Sequence, residues 1–331
     1  MNQSPHAPGS RDPQDPRHPL RPTPGVVSVV FASVAQARTA LPDPGRVLAA
    51  DELARSSQFR FPEHAEAFRL RRALLRTALG QITNTAPAEL VFASTGPGRR
   101  WLPDHEALDF NASNAGDRIA IAISERLGQD EAAPAHELPA TPPHAPPVGR
   151  GIGLDIEVQR AMSDVALVAR TALTEGEFAA WQASTDGAKN PTGAGSGIGP
   201  TEAFLELWTR KEAVAKAHGL GIGGDGGPRS WPVPTILDAS PAAARGHAPA
   251  HAHAHAHAPK IVARRCPDGA QRRPMTVASW SPDAGVLVSL AVPEAESVEP
   301  AANATCAWTV QYVSWLDMPV WRVNVTGASA D

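Results

Sequence analysis

A chain of 331 residues and 34.7 kDa, 42% apolar, is long enough for about two ordinary domains and can bury a substantial core. A formal charge of -4 with 12 His excludes both a global basic field for duplex nucleic acid and a strongly acidic solvating chain, so any anion site is local. Cys266 and Cys306 form neither a CxxC pair nor a disulfide framework, and no apolar run reaches the ~20 residues of a membrane-spanning helix.

The 33 Pro and 27 Gly, beside 8 Phe and a single Tyr, predict a folded body interrupted by Pro/Ala/Gly-rich insertions. Residues 1–24 hold seven prolines and no apolar segment, which predicts a disordered leader and no secretory signal. Val26 to Ser33 is rich in β-branched residues and predicts a strand. Glu63 to Leu79 carries Phe68, Leu75 and Leu79 at helical spacing and predicts an amphipathic helix, on which Arg69, Arg72 and Arg76 form one basic stripe. Leu90 to Ala93 and Arg118 to Ser124 predict two further strands, closing an N-terminal half at residues 25–127.

Residues 128–148 are a Pro/Ala-rich linker, and Gly151 to Glu157 resumes with the pattern of a buried strand. The C-terminal half, residues 149–295, contains flexible insertions at 186–200 and 238–260. Thr174-Glu175-Gly176-Glu177 has the form of a capping box and predicts a helix to about Ala183. Glu202 to His218 is the strongest helical segment of the chain, with Gly219 placed to end it. His251, His253, His255 and His257 alternate with alanine in a Pro-rich stretch that offers no preorganised metal geometry. Met275 to Trp280 and Val286 to Val292 predict a hairpin. The tail, residues 296–331, holds three of the eight Trp and has the pattern of an extra hairpin without an assignable role.

Asp155 and Glu157 lie two apart in an apolar strand and therefore share one face. Two carboxylates there repel each other and lose hydration unless a cation sits between them, which favours a hard divalent ion. On the helix, Phe204, Trp208, Glu212 and Lys216 recur every fourth residue as one slowly drifting stripe, apolar at its start and charged at its end. An anchor at Phe204 and Trp208 aims Glu212 and Lys216 at a site edge. The bland alternatives are two carboxylates overhanging a strand end and an exposed Glu-Lys pair.

Gly153-Leu154-Asp155-Ile156-Glu157 followed by Trp208-Thr209-Arg210-Lys211-Glu212-Ala213-Val214-Ala215-Lys216 resembles the paired signature of the 4'-phosphopantetheinyl transferases, in their larger Sfp-type branch. Phe110-Asn111-Ala112-Ser113-Asn114 resembles the family's F-N-x-S-H segment, with Asn114 at the histidine, and Gly98 to Pro103 is an eroded form of its G-K-P element. The resemblance, loose outside the two signatures, spans about Val47 to Val292 and implies an α+β fold of two similar halves packed as a pseudo-dimer, with the active site in the cleft between them.

It further implies an enzyme of the holo-acyl-carrier-protein synthase type that moves the 4'-phosphopantetheine arm of coenzyme A to a serine of an apo acyl or peptidyl carrier protein. Asp155, Glu157 and Glu212 would hold Mg²⁺, Lys216 would reach a phosphate, and Glu212 would help deprotonate the serine. Ser113 and Asn114, with Arg55, Arg60, Arg69 and Arg72 as weaker candidates, would meet coenzyme A. The expected setting is a cytoplasmic monomer with neither nucleic acid nor membrane as partner. Two other readings stand beside it: the same fold kept as a coenzyme A or carrier-protein binding module, suggested by Asn114, and a different Mg²⁺-dependent enzyme acting on a pyrophosphate.

Overall fold

The computed structural model describes residues 18–94, 99–127, 151–187, 199–219, 221, 227–235, 260–266, 275–294 and 305–326. The chain runs β1 (Val26–Ser33), α1 (Val34–Ala40), α2 (Ala50–Ser56), α3 (Pro62–Thr83), β2 (Ala93–Ser94), β3 (Arg100–Trp101), β4 (Leu108–Ala115) and β5 (Arg118–Glu125). It continues through β6 (Gly153–Val158), α4 (Val165–Ala172), α5 (Glu175–Gly187), α6 (Pro200–Ala217), β7 (Lys260–Arg265), β8 (Met275–Trp280), β9 (Val286–Pro293), β10 (Thr305–Trp315) and β11 (Met318–Asn324). This is an α+β fold, as expected. None of these helices is long and apolar enough to cross a membrane.

Nine strands form one antiparallel sheet in the order β4-β5-β1-β11-β10-β7-β8-β9-β6. It curls until the edge strands β4 and β6 lie side by side. Val29, Phe31, Ala122, Leu154, Trp280, Val288, Trp308 and Trp321 fill its inside as one shared core. The outer face is covered twice: α1 and α3 pack on β1, β5 and β11, and α4, α5 and α6 pack on β8 and β9. Strands buried on both faces cannot alternate apolar with polar residues, which explains the unbroken VVSVVFAS and RIAIAIS segments.

One connectivity appears twice. In β1–α3–β4–β5 the first strand pairs with the last, and in β6–α6–β8–β9 it does so again. The units are joined by β7 and the β10–β11 hairpin, whose inner turn residues Leu316 and Asp317 both take positive φ, 50° and 60°, as a type I′ turn requires. The tail hairpin thus bridges the sheet between β1 and β7.

Some expectations shift. Residues 18–24 are not part of a disordered leader, because Leu20 is fully buried in the α3 core and His18 is nearly so. Residues 1–17, the linker at 128–148 and the alternating His tract lie outside the described residues. Leu90 to Ala93 is not a full strand: Pro87 opens a 3-10 turn, the Leu90 carbonyl accepts from Arg76 at 3.0 Å, and only Ala93 and Ser94 pair. The basic stripe on α3 is broken, because Arg76 turns inward to Glu52 at 2.5 Å and Arg72 reaches the same carboxylate at 2.7 Å. The helix from Thr174 forms with its capping box, Thr174 N to Glu177 Oε2 at 2.8 Å and Glu177 N to Thr174 Oγ1 at 3.3 Å, but runs on to Gly187.

Candidate functional site

β6 and α6 approach each other closely because residue 153 has no side chain: a Cβ there would collide with the Ala213 carbonyl. This contact brings the end of α6 over the outer face of β6. Phe204, 2% exposed, and the half-buried Trp208 anchor the start of α6 in the core, their rings stacked at 6.0 Å. Two turns further along, Lys216 is aimed at the strand rather than at water, as the stripe predicted.

The Lys216 ammonium donates to Asp155 Oδ1 at 2.6 Å and to Ser113 Oγ at 2.9 Å, and Ser113 Oγ donates to the same Asp155 oxygen at 2.8 Å. Three elements, β4, β6 and α6, therefore meet in one polar triangle. Asp155 is 5% exposed, and its Oδ2 is buried with no hydrogen-bond partner. Burial pushes its carboxyl above the usual range, against the pull of Lys216 and Ser113. Glu212, half-buried one turn before Lys216, is pushed up as well, first by burial; Lys216 opposes this, while Asp155 and Glu157 add to it. Glu157 shares the Asp155 face of β6 and meets Arg160 at 2.8 Å.

These groups test the expected Mg²⁺. Asp155, Glu157 and Glu212 supply hard oxygen donors, with Lys216 and Arg160 as the cations against three acids, and Asp155 keeps an orphaned buried oxygen. Among the described residues no three acidic, His or Cys side chains lie close enough together to hold a metal ion by themselves. That suits Mg²⁺, which keeps water and substrate phosphate in its shell and seldom sits in an all-protein cage. The donors fit an open site.

The other expected residues divide. Ser113 belongs to the triangle, whereas Asn114, next along β4, is exposed and projects to the opposite side. Arg55 and Arg60 are exposed at the α2–α3 corner, 5.8 Å over the Phe68 ring and 5.3 Å over the Phe61 ring. Arg69 is half-buried on α3, and Arg72 is committed to Glu52.

Two sets of residues escaped the sequence reading. Lys211 is fully buried, meeting Glu177 at 2.6 Å and the carbonyls of Trp231 at 2.8 Å and Pro228 at 3.2 Å, so it ties α5 and the segment after α6 to the helix that carries Glu212. Asp109 and Asn111 precede Ser113 at two-residue spacing on β4 and bond to the chain of β6. A signal existed in LDFNASNA, where the polar positions 109, 111 and 113 share one face. Arg99 lies in the Gly98 to Pro103 segment, where no local pattern marks it as buried.

Residues 151–277, which include β6, α4, α5, α6 and β7, match the sequence profile of the 4'-phosphopantetheinyl transferase superfamily. The chain is 28% identical over 190 residues to the 4'-phosphopantetheinyl transferase HetI of Nostoc sp. (strain PCC 7120), covering 56% of this chain and 66% of HetI. It is 25% identical over 189 residues to slr0495 of Synechocystis sp. (strain PCC 6803), a candidate enzyme of the same name, covering 56% of this chain and 63% of that protein. The chain thus spans just under two thirds of each of these relatives. The acidic strand, the helix that ends on Lys216 and the profile match over 151–277 together make this part of the chain similar to the 4'-phosphopantetheinyl transferase superfamily.

Proposed function

We propose that this chain transfers the 4'-phosphopantetheine arm of coenzyme A to a serine of an apo acyl or peptidyl carrier protein, releasing 3',5'-ADP, as an Mg²⁺-dependent cytoplasmic monomer of the Sfp-type branch. The observation that carries the reading is the Lys216–Asp155–Ser113 triangle with Glu212 and Glu157 beside it. It lies where β4 of the first β–α–β–β unit meets β6 of the second. That placement supports a pseudo-dimer with coenzyme A held between its halves.

In this reading the serine oxygen bonds to the β-phosphorus of coenzyme A, the bond from that phosphorus to the bridging oxygen breaks, and 3',5'-ADP departs with the electron pair. Lys216 places positive charge on the pyrophosphate, where charge shifts toward the leaving group. Ser113 offers the same oxygens a hydroxyl donor once its bond to Asp155 is exchanged. Glu212 helps deprotonate the serine, directly or through a water. Asp155, Glu157 and Glu212 would hold Mg²⁺, which when bound neutralises pyrophosphate charge.

The test is intact-protein mass spectrometry of apo carrier proteins incubated with the full chain, coenzyme A and Mg²⁺, beside Asp155→Ala. One phosphopantetheine arm gained, and absent from the Asp155→Ala reaction and from the metal-free one, establishes the transferase. No gain on any carrier, with coenzyme A still bound, replaces it with the binding module, and Asn114→His then shows whether the missing imidazole is the cause.

A further inference from the structure

β4 and β6 are the two edges of the sheet, and no backbone ladder joins them among the described residues. Side chains replace it. Asp109 Oδ2 accepts from the Ile152 amide at 2.7 Å and Asn111 Oδ1 from the Leu154 amide at 3.3 Å, while Ser113, next on that face, reaches Asp155. Arg99 closes the seam from its end. Its guanidinium, 7% exposed, forms an ion pair with Asp109 and donates to the Ile152 carbonyl at 2.7 Å, the Lys216 carbonyl at 3.2 Å and the Phe110 carbonyl at 3.4 Å. It lies where a Cβ on Gly151 would collide with it.

Lys216 is therefore held at both ends: Arg99 holds its carbonyl, and Asp155 with Ser113 holds its ammonium. The carbonyl belongs to the last turn of α6, where it also accepts from the Gly219 amide at 3.0 Å and where the helix C-terminus favours a cation. We propose that Arg99 and Asp109 are positioning residues for Lys216, setting the separation of β4 from β6 and the seat of the α6 terminus so that the lysine reaches its substrate phosphate. This rests on the transferase reading for its consequence in catalysis. A planar guanidinium serves three elements at once because its donors diverge in a fixed fork, whereas a lysine brings a single point charge. An Arg99→Lys exchange keeps the charge at the seam and loses the fork.

The experiment uses the full chain as wild type, Arg99→Lys and Asp109→Asn. The chain has four lysines, which allows each to be followed by acetic anhydride labelling at pH ~8 and peptide mass spectrometry. In both variants Lys216 should label about tenfold faster, the factor that about 1.4 kcal/mol of lost holding gives. Lys211, fully buried against Glu177, should stay protected and so report an intact fold. The transfer assay should show kcat lowered about tenfold with KM for coenzyme A changed less than about threefold. Wild-type labelling of Lys216 in both variants, or Lys211 rising together with Lys216, overturns the proposal, as does an unchanged kcat. If wild type transfers nothing, the transferase reading fails by itself, and the labelling still decides whether Arg99 and Asp109 position Lys216.

Discussion

Lys216, at the end of α6, and Asp155, in the middle of β6, are 61 residues apart in sequence and 2.6 Å apart in space. The aspartate is almost out of water while the lysine side chain keeps a quarter of its exposure, so the pair is unequal. Asp155 depends on Lys216 more than Lys216 depends on Asp155, and the first prediction follows from that asymmetry.

Lys216→Met leaves a buried carboxylate without its cation. Breaking a fully buried pair costs about 3–5 kcal/mol, and the partial exposure of Lys216 lowers the expected loss to about 2 kcal/mol. Asp155→Asn removes the charge that needs the partner and should cost less, and the double variant should recover part of the Lys216→Met loss. Urea denaturation of the four proteins at neutral pH measures the cycle. Equal losses for both single variants would contradict the asymmetry.

Glu212 predicts a pH dependence of definite sign. Its pKa is raised in the folded chain, chiefly by burial, so between the unfolded and the folded pKa the native state binds more protons than the unfolded state, and stability falls as pH rises through that window. Below the ordinary carboxylate range of ~4.5 both states are protonated and the penalty disappears. Glu212→Gln should therefore melt a few degrees above wild type at pH ~7 without Mg²⁺, with the gain shrinking toward pH ~4. A gain that grows on acidification would reverse the assignment.

Two glycines make a matched pair. A methyl on Gly153 meets the backbone of α6, which cannot yield as a flexible side chain does, so Gly153→Ala should cost about 3 kcal/mol and lower transfer by moving Lys216 off Asp155. Gly176, in the first turn of α5, has open space around it, and Gly176→Ala should add about 0.5–1 kcal/mol with transfer unchanged. Thermal melts and initial rates of both variants check this.

Cys266 is buried, and its thiol is pushed up to about 12 by the loss of solvent. The reactive thiolate is then scarce at mildly alkaline pH. Iodoacetamide at pH ~8 should leave the Cys266 peptide unmodified in the native chain and alkylate it in guanidinium. Rapid native alkylation, followed by peptide mapping, would show that the segment after β7 opens.

The local pattern of the sequence determined which segments are strands and helices wherever burial on both faces or a strong helical run dictated it. β1 and β8 appear at their expected bounds, and α6 within two residues of them, because apolar runs and helix formers act over a few neighbouring residues. It also marked Asp155, Glu157, Glu212 and Lys216, since strand and helix periodicity fixes which residues share a face. Where the partner lies far along the chain, local pattern is silent. Whether Arg72 meets a ligand or Glu52 was decided by the packing of α2 on α3, whether the tail hairpin hangs free or bridges β1 to β7 by its pairing with both strands, and whether Arg99 is exposed or clasps Lys216 by the closure that brought β4 against β6. A charged side chain is read as exposed until the partner that compensates its burial is known, and that partner is a property of tertiary structure.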